Sequence, residues 1–77
     1  MATGPTEVWL TQRNLAVKCM IVREDESAER FTARSLNMRG AQREVTARLK
    51  GQGHAPAGRW ETVVSNAAGT ETMRRFR

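Results

Sequence analysis

The stretch NMRGAQREVTARLKGQG, residues 37–53, is the one segment whose apolar residues recur at helical spacing, and strand-like segments flank it on both sides. A chain with one helix among several strands has few ways to bury its apolar surface. The helix must lie across one face of a sheet, which is an α+β arrangement. Met38, Ala41, Val45 and Leu49 form the stripe that would face that sheet. Asn37 suits the N-cap, with Leu36 and Ala41 placed to close a hydrophobic staple around it. Gly51 reads as the left-handed stop, and Lys50 in the last turn complements the helix dipole. Gly40, inside the first turn, costs about 1 kcal/mol against Ala. It implies either a close contact or simple tolerance.

The clearest strand is LAVKCMIVR (15–23), in which Leu15, Val17, Cys19 and Ile21 share a face. The polar run EDESAE (24–29) forms a turn, and RFTARSL (30–36) returns with Phe31 and Ala33 inward. After the helix, GQGHAPAG leads into RWETVVS (59–65), where Trp60, Thr62 and Val64 alternate with Arg59, Glu61 and Val63. A turn at NAAG precedes a final strand, TETMRRFR (70–77), with Arg74 and Phe76 on one side and Met73 and Arg75 on the other. The expected order is β-β-α-β-β, an antiparallel sheet of four strands. The count becomes five if EVWLTQR (7–13) adds an N-terminal strand with Val8 and Leu10 opposite Trp9 and Thr11. Residues 1–6 read as a flexible tail and 7–77 as one small domain.

Seventy-seven residues bury a modest core, and the single Cys19 provides no internal disulfide. A second copy of the chain would supply the burial that a staple otherwise gives. Pairing through a sheet edge or through Trp9 and Met20 is therefore an expected option. The N-terminus lacks the basic and apolar regions of a leader, and no window reaches the length of a membrane span, so the expected location is cytoplasmic.

The charge is asymmetric. Residues 1–36 hold five acids (Glu7, Glu24, Asp25, Glu26, Glu29) and five bases (Arg13, Lys18, Arg23, Arg30, Arg34). Residues 37–77 hold three acids (Glu44, Glu61, Glu71) against eight bases (Arg39, Arg43, Arg48, Lys50, Arg59, Arg74, Arg75, Arg77), so the whole net charge of +5 lies there. That half has the balance of a polyanion binder, although a wealth of Arg, Ala and Gly is also the composition of a GC-rich, bacterial-like genome.

Catalytic constellations are sparse. One histidine cannot make a His-rich metal site, and GQGHAPAG follows a helix without the Lys-Ser/Thr that ends a phosphate loop. Cys19 alternates inward as an inert thiol, Glu24 and Glu26 lie in a solvated turn, and Tyr is absent. The sequence thus reads as a non-enzymatic binding module without cofactor or metal. Its expected partner is DNA or RNA, held through phosphates by Arg39, Arg43, Lys50, Arg59, Arg74 and Arg75. The alternative is a protein–protein adaptor or homodimeric regulator whose partner is an acidic protein surface. Three local roles complete the reading. Glu44 is spaced to pair with Arg48, Arg75 and Arg77 to guard an edge strand, and Trp60 to anchor the core while Arg59 faces outward.

Overall fold

The computed structural model describes residues 6–77. It has strands β1 (Thr6–Arg13), β2 (Ala16–Val22) and β3 (Ala28–Thr32), helix α1 (Met38–Gly51), and strands β4 (Glu61–Asn66) and β5 (Gly69–Phe76). Among the described residues these five strands form one antiparallel sheet in the order β3-β2-β1-β5-β4. The α+β class and the single helix match the sequence reading. The optional fifth strand is real, and β1 is the centre of the sheet. Residues 1–5 of the expected tail lie outside the described residues, whereas Thr6 opens β1 and is buried.

The apolar alternation of β1 and β2 puts Val8, Leu10, Val17, Cys19 and Ile21 on one face, all essentially inaccessible to water. Ala41, Val45 and Leu49 close over them from α1, and Phe76 completes this core from β5. Leu15 does not join. It sits with Asn14 in the two-residue β1–β2 turn and is 75% exposed. The returning strand is shorter and earlier than its composition suggested, because residues 33–37 leave the sheet to reach the helix. Even so, the Ala33 N–H still donates to the Val17 carbonyl and Ala33 is buried.

The Asn37 side chain accepts from the Gly40 N–H at 2.7 Å, as an N-cap should. The staple is not made, since Leu36 is exposed. The stop also lies further on than Gly51, which remains helical. Gln52 caps the helix, Gly53 takes the left-handed conformation (φ 91°), and the N–H groups of Gly53 and His54 return to the carbonyls of Lys50 and Leu49. This is the paired C-terminal closure that left-handed glycine permits.

Two expectations about the C-terminal strands fail for one reason: strand neighbours are fixed by long-range pairing. β5 lies between β1 and β4, so Arg75 and Arg77 guard no edge. β4 begins at Glu61, after Arg59 and Trp60, and its register slips between Thr62 and Val64. Thr62 opposes Thr72, but Val64 opposes Glu71, so this bulge moves Val64 to the other face from Thr62. GQGHAPAG is architecture. Ala57 donates to the Arg75 carbonyl, Arg77 donates to that of Ala55, and the Arg77 carbonyl lies 2.8 Å from His54 Nδ1.

Gly40 is a close-contact position. A Cβ there would stand 2.9 Å from Ser35 Cβ and nearer still to its hydroxyl, which links to the Asn37 backbone. Gly40→Ala should therefore lower stability by about 1–3 kcal/mol, against the gain of about 1 kcal/mol that helix propensity alone implies. Denaturant unfolding of the variant beside the parent measures the sign directly.

Candidate functional site

A helix is about 10–12 Å across, and five strands span about 19 Å. One helix cannot roof this sheet, and each flank of α1 is finished by an aromatic ring carrying an arginine. On the β3 side, the Arg48 guanidinium lies 4.2 Å from the centre of the Phe31 ring and is ion-paired with Glu29, which also holds Arg23 at 3.1 Å. Glu44 is thus not the partner of Arg48. Its carboxylate accepts the N–H groups of Arg34 and Ser35, fastening the β3–α1 connection.

On the opposite flank, Trp60 packs against the core and Arg74 projects from the helix-covered face of β5. The Arg74 Nε–H donates to the Gly58 carbonyl at 2.6 Å, with its guanidinium 5.9 Å from the Trp60 ring and 5.6 Å from that of Phe76. Between them and α1 runs an open crevice of about 470 Å³. Arg39, Gln42, Arg43, Thr46, Ala47 and Lys50 form its helical wall, and Trp60 and Arg74 its sheet-side wall. Gln42 donates to the Thr72 hydroxyl, which donates in turn to the Met38 sulfur, tying the helix to β5 beneath the crevice. The Thr46 hydroxyl is buried and has no hydrogen-bond partner among the described residues, an arrangement that costs stability unless a ligand or water completes it.

Four of the six residues expected to contact a polyanion (Arg39, Arg43, Lys50 and Arg74) therefore line one feature. Arg59 is exposed beside Trp60 but is not in the lining. Arg75 is excluded: it emerges on the opposite sheet face, 3.5 Å from Glu7. The ion pairs among the described residues are Arg23–Glu29, Arg48–Glu29 and Arg75–Glu7, so none neutralises a cation of the crevice. The acids lie elsewhere. Asp25 is in the β2–β3 turn, where the Ser27 hydroxyl and N–H hold its carboxyl below the usual range, and Glu61 and Glu71 are on the uncovered face. Trp60, Gln42 and Thr46 complete the crevice. The helical phase of Gln42 and Thr46 beside Arg39 and Arg43 was the available sign, whereas the placement of Trp60 depends on the long connection before β4.

The remaining reactive groups do not converge. Cys19 is buried beneath the helix and His54 binds the Arg77 carbonyl. Among the described residues no three His, Cys, Asp or Glu side chains gather into a metal-holding group, and no helix is long and apolar enough to cross a membrane. No family model, curated protein or solved structure matches the chain.

Burial, with the Glu44 carboxylate adding to it, pushes the Cys19 thiol up to about 11. The native thiol should not react with a disulfide reagent at pH 8, and full reactivity should appear on unfolding, read by absorbance during a denaturant titration. Because the unfolded thiol ionises first, this group favours the fold fully below pH 9. Its contribution declines as pH rises from there toward about 11.

Proposed function

We propose that the chain is a cytoplasmic, non-enzymatic module that binds DNA or RNA through the crevice between α1 and Trp60–Arg74, held mainly by phosphate contacts. The observation that carries this reading is the convergence of Arg39, Arg43, Lys50 and Arg74 on one open feature, with no ion pair among the described residues to neutralise any of them. Such a cluster raises the local potential and draws in a polyanion. Arginine guanidinium groups donate in a planar fork that suits phosphate oxygens. Gln42 and Thr46 add neutral donors and acceptors of the kind that contact sugars and base edges. Trp60 is half-buried and faces Arg74, so its ring serves first to position that arginine. Backbone contact therefore outweighs base stacking in this reading.

The alternative partner, an acidic protein surface, would meet the same cations, and direct titration separates the two. Fluorescence anisotropy with a labelled random duplex and a single-stranded RNA should show binding at about 50 mM salt, with log affinity falling linearly against log salt at a slope of about −3 to −4 for four phosphate contacts. Arg39→Glu with Arg43→Glu should weaken binding by more than about tenfold, whereas Arg75→Glu, on the other face, should change it by less than about twofold. Absence of binding to both probes at that salt, or equal losses from the two sets of variants, would sink the assignment.

A further inference from the structure

Among the described residues the sheet face away from α1 has no second layer, and its side chains are arranged as their own complement. Strand register sets them in rows across the sheet. The central row runs Arg30–Met20–Trp9–Met73–Glu61, and the next runs Thr32–Lys18–Thr11–Glu71–Val64. Each has an apolar or neutral residue on β1, a cation toward β3 and an anion toward β4. Trp9 and Met20 are half-buried, Lys18, Arg30 and Glu61 exposed. A hollow of about 910 Å³ lies over the β1–β2–β3 half of this face, lined by Trp9, Lys18, Met20, Arg30 and Thr32 among others.

We propose that this open face binds a second copy of the chain, face to face, about a two-fold axis running along β1. That axis exchanges the two halves of every row. Arg30 then lies over Glu61 of the partner subunit, Lys18 over the partner subunit's Glu71, Met20 over the partner's Met73, and Trp9 over the partner's Trp9. The β5–β4 half of each copy covers the hollow of the other. In the third row Glu7 meets its own equivalent, with Arg75 of the same chain 3.5 Å away as counter-charge, and at the β1–β2 turn end the exposed Arg13 meets its own equivalent. A two-fold axis perpendicular to the strands would instead put Arg30 on its own equivalent and Glu61 on its own, which like-charge repulsion disfavours. Sheets packed this way cross at about 30°, an offset of a few ångströms that arginine and lysine side chains span. A face of about 19 by 26 Å offers each copy on the order of 500 Å² of projected area, the scale of a weak and reversible interface. This inference concerns the face opposite the basic crevice and does not rest on nucleic-acid binding.

Sedimentation equilibrium from about 10 μM to about 1 mM should show the 8.6 kDa chain passing from monomer to dimer, the range expected of so small an interface. Lys18→Glu and Glu71→Lys, each alone, place like charges in contact twice per dimer and should weaken association by about tenfold or more. Mixed in equal amounts, the two variants should recover it, because each then meets the opposite charge. Arg30→Glu and Glu61→Arg, both at exposed positions, form a second such pair should Glu71→Lys, which loses a bond from the Thr11 hydroxyl, fail to fold by circular dichroism. A parent chain monomeric at 1 mM overturns the proposal. So do single variants that associate like the parent, which would place the contact at a sheet edge, and folded variants whose mixture stays monomeric.

Discussion

A single helix roofing a sheet nearly twice its width is the constraint from which most of this structure follows. The Ala41–Val45–Leu49 stripe seals the middle, over Val8, Leu10, Val17, Cys19 and Ile21. Small and branched residues there let helix and sheet approach closely, and the burial of these side chains supplies the main favourable term. Beyond the stripe, each flank uses a half-buried ring with an arginine against it: Phe31 with Arg48, and Trp60 with Arg74. The ring covers apolar surface, and the guanidinium lets its outer side meet water at little cost.

The two flanks differ in how that arginine is neutralised. Arg48 has Glu29 and belongs to the scaffold. Among the described residues Arg74 has a carbonyl and two rings but no carboxylate, so its charge remains available. The neighbouring cations of α1 are likewise uncompensated because Glu44, the one acid of the helix, points away to hold the turn before it. The crevice is basic through the placement of a few anions as much as through an excess of cations.

Much of this was legible in the sequence where the physics is local. Strand alternation separated Val8 and Leu10 from Trp9 and Thr11 in β1 and grouped Val17, Cys19 and Ile21 in β2, and helical phase identified the buried stripe. Local rules failed where a distant group competes. The i,i+4 spacing offered Glu44 to Arg48, but Glu29 arrives from β3, and the N–H groups of Arg34 and Ser35 take Glu44. Arg74 and Arg75 are a different case: alternation already sets them on opposite faces, so counting both toward one contact surface conflicts with it, and only the helix-covered Arg74 reaches the crevice. Strand order was out of reach, since nothing near residues 69–76 encodes that they pair with residues 6–12. The bulge between Thr62 and Val64 likewise leaves no mark in composition.

That long-range pairing has a bearing on how the chain is made. Thr6 opposes Phe76 and Gln12 opposes Thr70, so the central strand acquires its second neighbour only after nearly the whole segment has left the ribosome. Until then β1 presents a bare row of amide and carbonyl groups along the side that β5 covers. Its growing chain would be the moment of greatest exposure to wrong partners. Synthesis paused before residue 69 would leave that row of β1 open to any passing extended peptide.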